Sequence, residues 1–135
     1  MRTVGAAVLV VLLVFSSSLL LEACLFSKRH HMMVVDRINA DDNVPLKVHC
    51  FSGNNDFGYH FLVQYGVFDR SFCENALWDN TKIFCHVWWG NKNQGFIGYD
   101  QERDLDIRSN FWLVFNDGIY LSHDNMTMIK KYDWA

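Results

Sequence analysis

At 135 residues and a net charge of −3, the chain has room for one domain, and its slightly acidic balance argues against nucleic acid or an anionic membrane as the main partner. Aromatic residues make up 16% of it and proline occurs once, which supplies material for a packed core and excludes a disordered chain.

The N-terminus reads as a segment to be removed. Met1-Arg2 gives a positive start, residues 4–15 are an unbroken run of small and apolar side chains, and Ser16-Ser17-Ser18, Leu19-Leu20-Leu21 and Glu22-Ala23 follow. Charge, apolar core and small residue in that order are what a secretory signal peptide needs. Residues 4–21 also approach the roughly 18–20 residues that span a bilayer. The serine triplet interrupts that run and favours cleavage over anchoring. Leu21-Glu22-Ala23-Cys24 mimics a lipoprotein box, but the bulky Glu22 makes it a poor one. The expected division is therefore a signal peptide over residues 1–23 and one mature domain over residues 24–135. The mature chain is expected outside the cell with no stable membrane insertion.

After a short basic stretch at residues 27–31, read as a flexible mature N-terminus, the periodicity becomes that of strands. Residues 32–38 (MMVVDRI) predict a first strand and residues 39–43 a turn. Pro45 opens the next strand, where proline costs no ladder bond. There Leu46, Val48 and Cys50 alternate with Lys47, His49 and Phe51, a period of two. Residues 52–56 (SGNND) favour a loop. Residues 60–65 and 67–73 predict two strands divided by Gly66. The longest strand is expected over residues 81–89, with Ile83, Cys85 and Val87 on one face and Phe84, His86 and Trp88 on the other. Residues 90–93 read as a turn and 95–100 as a strand, and the charged segment 101–109 as a solvated loop. Residues 110–115 (NFWLVF) are apolar on both faces, as inside a sandwich. Asn116-Asp117-Gly118 is a hairpin signal leading into residues 119–122. Seven or eight short strands with frequent turns predict an all-β protein, a small antiparallel β-sandwich or barrel.

The cysteines are Cys24, Cys50, Cys73 and Cys85. Secretion permits disulfides, and cleavage before or after Cys24 leaves four or three cysteines. Cys73–Cys85 across a hairpin is the preferred pairing and Cys50–Cys85 the alternative; sequence alone does not fix connectivity.

Chemistry is sparse. His30 and His31 are adjacent and point apart on a strand. His49, His60 and His86 lie in separate strands with no cysteine or carboxylate spacing of a zinc set, so no metal is expected. His60 reads as a partly buried imidazole bonded to nearby backbone, and the other histidines as surface groups. Asp100, Glu102, Asp104 and Asp106 resemble the start of a calcium loop, but Leu105 stands where glycine is needed and Phe111 where glutamate is needed. There is no nucleophile elbow, nucleotide-binding glycine loop or phosphate loop. No carboxylate pair singles itself out for glycoside hydrolysis. The expectation is a non-enzyme with no cofactor and no catalytic residue. In Trp88-Trp89, one ring is expected in the core and the other outside, where an exposed tryptophan can stack on a sugar or anchor a protein interface. Asn125-Met126-Thr127 is an N-glycosylation sequon, with Asn125 the acceptor.

Val48-His49-Cys50, Gly58-x-His60-x-Leu62, Ser71-Phe72, Asn75-x-x-Trp78, Thr81, Phe84-Cys85 and Trp88 occur in an order and spacing that resembles the plant self-incompatibility S1 family, the S-protein homologues. The likeness resumes at Phe96-x-x-Tyr99-Asp100 and at Trp112-x-Val114-x-x-Asp117-Gly118-Ile119-Tyr120, and ends at Tyr132-Asp133-Trp134. Two departures stand out. Residues 106–110 carry no cysteine where members usually have two shortly before the tryptophan matched by Trp112, and Cys73 falls where members usually have none. The family's disulfide pattern is thus not transferable, and a Cys73–Cys85 bridge would be this chain's substitute. Closing about a dozen residues, it would contribute on the order of 3 kcal/mol in the chain-entropy model. The resemblance implies a small secreted β-sandwich without enzymatic activity, acting as a monomeric extracellular ligand of an unidentified cell-surface receptor. Founding members act in this way in the rejection of self pollen. Specificity is expected in the loops 52–56, 76–80, 90–93 and 101–109, because loops on a rigid sandwich vary without unfolding it. The rival reading is an extracellular carbohydrate-binding module using an exposed tryptophan.

Overall fold

The computed structural model describes Cys24, residues 28–74 and residues 81–135. The signal-peptide reading of residues 1–23 and the loop at 76–80 lie outside the described residues. Among those described, nine strands run in chain order: β1 (Arg29–Asp36), β2 (Leu46–Ser52), β3 (Asp56–Leu62), β4 (Val67–Cys73), β5 (Lys82–Trp89), β6 (Lys92–Asp100), β7 (Ser109–Phe115), β8 (Gly118–Ser122) and β9 (Ile129–Tyr132). They form a five-stranded sheet, β4-β1-β7-β8-β9, and a four-stranded sheet, β3-β2-β5-β6. The fold is an all-β sandwich.

The alternation in the sequence is the cause of the two layers. Met32, Val34, Phe68, Trp112, Val114 and Ile119 line the inner face of the larger sheet; Leu46, Val48, Cys50, Leu62, Ile83, Cys85, Val87 and Phe96 line that of the smaller. Two side chains of β7 tie the layers together, since Asn110 Nδ2 and Trp112 Nε1 both donate to the carbonyl of Gly98 in β6, each at 2.9 Å. Buried N–H donors of this kind need such acceptors.

Several boundaries differ from the sequence reading. β1 starts at Arg29, so the basic stretch from that residue on is paired strand rather than flexible terminus: His30 lies opposite Phe72 of β4 and His31 opposite Ser109 of β7. The sandwich is not purely antiparallel, because β1 and β7 pair in parallel. β3 begins earlier than expected, with Gly58 at φ 79° taking the backbone through a conformation that favours glycine. β9 (IKKY) is an exposed edge strand that the apolar pattern does not announce.

The registers also place the loops. Ser52 of β2 lies beside Ile83 of β5, and Lys82 beside Asp100 of β6. Hence the segments 52–56 and 101–108 emerge at one end of the sandwich, while the 90–91 turn emerges at the other.

Candidate functional site: an aromatic sheet face

The outer face of the four-stranded sheet carries rings where a solvated sheet normally carries polar groups. Residues 47, 49 and 51 of β2, 59 and 61 of β3, and 84, 86 and 88 of β5 share this face by the period-two rule. Tyr59 is 55% exposed and Phe61 64%, and Phe51 and Phe84 are also exposed. The rings form a connected layer. His49 stacks on Tyr59 at 4.2 Å and lies 5.2 Å from Phe51, which stacks on Phe84 at 5.7 Å. Trp88 lies 6.1 Å from Tyr59 and 4.3 Å from His86. Lys47 sets its ammonium over both Tyr59 (4.7 Å) and Trp88 (5.0 Å), an arrangement favoured by the negative ring faces.

Two hydrogen bonds fix the imidazoles of this layer. His49 Nε2 meets Asp56 Oδ1 at 2.8 Å, and His86 Nε2 meets Asn93 Oδ1 at 3.0 Å. Asp56 also accepts the N–H of Gly58, and the two contacts hold its carboxyl below the ordinary aspartate range. The histidine trio does not converge. His49 and His86 are register partners on the outer face, whereas His60 sits on the other face of β3, bonded to the carbonyl of Phe57 at 2.7 Å and packed on Phe68. Among the described residues no group of three or more His, Cys, Asp or Glu is placed to hold a metal ion.

Other expectations are corrected. Cys73 does not pair with Cys85: Cys73 ends β4 in the larger sheet and Cys85 lies inside the smaller, so no hairpin joins them. The bridges are Cys50–Cys85, between register partners of β2 and β5, and Cys24–Cys73. His30 is not a surface group. It is fully buried against Tyr99 and Phe72 with Nδ1 donating to the carbonyl of Ile107, and burial pushes its pKa below the ordinary histidine value. Nor is the 101–108 segment simply solvated. Asp104 is buried; burial alone would raise its pKa, but the Arg103 guanidinium, the Asp100 N–H and the Asn110 amide outweigh that and lower it. Trp89 packs against the core near Trp134, while Trp88 lies on the outer face but half-buried beneath its neighbours. The most exposed rings of this face are therefore Tyr59 and Phe61, which sequence reasoning did not single out. Their signal was present, since both alternate with inward-facing positions of a strand. Asn125 stands exposed at the turn between β8 and β9 with φ 60°.

The sequence profile described as plant self-incompatibility protein S1 matches residues 31–134. S-protein homolog 21 of Arabidopsis thaliana is 30% identical over 115 residues, covering 82% of this chain and 86% of that protein. S-protein homolog 9 of the same plant is 33% identical over 98 residues, covering 68% and 71%. The fold is similar to that of a solved self-incompatibility protein homologue, from a family described as small, highly stable, secreted plant proteins. The TM-score is 0.64 at 18% identity, over 80% of this chain and 96% of the other. A two-sheet scaffold matched over nearly all its described length, with that sequence profile running through it, makes this chain a member of the plant self-incompatibility protein S1 family.

Proposed function

We propose that the protein is a secreted, non-enzymatic signalling ligand that a cell-surface receptor protein recognises through the aromatic face of the four-stranded sheet. The exposed rings of Phe51, Tyr59, Phe61 and Phe84 on one sheet face, with Lys47 over Tyr59, carry this reading. Apolar patches of that kind mark interaction sites, and aromatic side chains anchor protein interfaces in which a few residues carry most of the affinity. The loops at 52–56 and 101–108 border one end of the face and supply variable contacts around a fixed platform. A non-enzymatic role is supported by the histidines and carboxylates whose bonds are described above, which hold loops and strands in place. Secretion is supported by the description of the structural relative and by the N-terminal apolar run.

The test is binding of labelled recombinant protein to plant cells, pollen included, with cytosolic calcium as the response. Saturable binding weakened at least tenfold by Tyr59→Ala with Phe61→Ala, and abolished by protease treatment of the cells, is the expected result. Binding that survives protease but is lost after glycan hydrolases would move the face to the carbohydrate reading, with Tyr59 rather than a tryptophan as the sugar platform. Unchanged binding in the double variant would show that another surface is used.

A further inference from the structure

At the end of the sandwich away from the 101–108 segment, a cavity is lined by Asp36, Ile38, Asp42, Val44, Pro45 and Val63, among others. Asp36 is 3% exposed, and its carboxylate accepts a single hydrogen bond, from the N–H of Ile38 at 2.9 Å. Asp42 accepts one N–H, from Val44. Among the described residues neither carboxylate has an ion-pair partner. The nearest cation in sequence, Arg37, lies instead over the rings of Tyr65 (5.7 Å) and Phe115 (5.5 Å). A buried carboxylate with one donor and no counter-ion is costly to keep ionised, and burial indeed raises the pKa of Asp36.

The cavity is built rather than incidental. The main chain of Asp36 is clamped from the β3–β4 connection, with Tyr65 N–H donating to its carbonyl and its own N–H donating to the carbonyl of Gly66. Gly66 N–H in turn bonds the carbonyl of Val63, and a Cβ at residue 66 would stand 2.8 Å from that oxygen, so only glycine fits. Asn43, which lines the cavity, sits at φ 53°, and Tyr65, which follows the lining residue Gln64, at φ 66°, a backbone conformation that residues other than Gly rarely take. Ile38, Val44, Pro45 and Val63 give the walls apolar surface, which suits an alkyl stem carrying a charged head.

We propose that this cavity binds one organic cation, a guanidinium or ammonium group on an alkyl stem, with Asp36 as its buried counter-ion and Asp42 beside it. The site is separate from the aromatic face and does not depend on it. The head group would come either from a basic side chain of a partner protein or from a free polyamine.

The experiment titrates the isotope-labelled full domain with N-acetylarginine methylamide, with the neutral N-acetylcitrulline methylamide and with spermidine, following backbone amide shifts. Saturable shifts at residues 38–45 and 63–66 are expected with the arginine probe and not with citrulline, with affinity at least tenfold weaker in Asp36→Asn. Asparagine keeps an acceptor for Ile38, removes the charge and puts an amide N–H donor in place of the second oxygen. Spermidine binding more tightly than the arginine probe would support a free polyamine; weaker binding would support a protein side chain. No saturable shift with either cation, equal shifts with citrulline, or unchanged affinity in Asp36→Asn would overturn the proposal. Should Asp36→Asn not fold, the contrast between arginine and citrulline on the unaltered chain decides alone.

Discussion

Cys50 and Cys85 are direct register partners on the inner faces of β2 and β5, with Cα atoms 4.1 Å apart and both side chains buried in the core. The bridge therefore closes 35 residues of chain while also filling core volume. A loop of that length is worth about 3–4 kcal/mol in the chain-entropy model. Replacing both residues by alanine is expected to cost at least that much and to lower the denaturant midpoint sharply. A midpoint within error of the parent would sink the assignment of this bridge as the main covalent support of the core.

The junction between the sheets makes a second prediction. A Cβ at residue 98 would meet Met32 Sδ at 2.6 Å and Cys85 Sγ at 3.2 Å, beside the carbonyl that accepts both Asn110 and Trp112. Gly98→Ala is expected to destabilise by about 1–3 kcal/mol through overpacking. Gly53→Ala, where a Cβ has nothing within 4 Å, is expected to stay within about 0.5 kcal/mol. Equal effects of the two in urea unfolding would contradict the crowding argument.

These sites show how far the sequence alone reaches. The alternation of Leu46, Val48, Cys50 and of Ile83, Cys85, Val87 was legible because burial follows the period of a strand. Which cysteines meet was not, because that depends on β2 pairing with β5 across a long stretch of chain. The parallel contact of β1 with β7 is similarly non-local. His30 and Asp104 read as solvent-facing because polarity is a property of the residue, whereas their burial comes from elements that close over them. The aromatic face was half legible: the rings were visible, but a tryptophan drew attention that belongs to Tyr59 and Phe61. The Asp36 cavity had no signal in the sequence, since a lone aspartate at a strand end is ordinary.

His30 predicts a pH dependence with a definite sign. Its Nδ1 carries the proton donated to Ile107, so further protonation falls on Nε2, which is buried with no hydrogen-bond partner. Asp104 attracts that proton, and His31 and His123 oppose it, but burial is the largest effect and the folded value lies below 6.5. The unfolded chain therefore binds more protons between the two values, and stability falls as pH drops from about 6.5, by at most about 1.4 kcal/mol per pH unit. Asp104, lowered in the folded state, adds a loss in the same direction in stronger acid, below about 3.8; Asp36, raised, acts oppositely above that value. His30→Asn keeps a donor for Ile107 and cannot titrate. Its stability should be flatter between pH 5 and 6.5, and an unchanged slope would assign the effect elsewhere.

The Cys24–Cys73 bridge constrains processing. Cys73 is exposed at the end of β4, and its partner precedes β1. A mature chain retaining this bridge begins at or before Cys24. Intact mass of the secreted protein should therefore include Cys24 and rise by four hydrogens on reduction, two for each bridge. A gain of two hydrogens with a reactive thiol at Cys73 would place the cut beyond Cys24.

The same mass measurement tests Asn125. The carboxylate of Asp124 gathers the N–H groups of Met126 and Thr127 and the Thr127 hydroxyl, contacts that hold it well below the ordinary aspartate range and shape the turn. Asn125 then projects at φ 60° with its neighbours exposed, a position an attached glycan can occupy without displacing core residues. Because β8 runs antiparallel to β7, this turn lies at the end where β7 begins, on the same side as the 101–108 segment. Protein secreted from plant cells is expected to lose mass with glycosidase, and Asn125→Gln to lack that difference. If the glycan also covers the neighbouring loops, Asn125→Gln should raise cell binding when the 101–108 segment contributes contacts. Unchanged binding would confine recognition to the aromatic face, where the rings lie on the smaller sheet and outside the turn's own sheet.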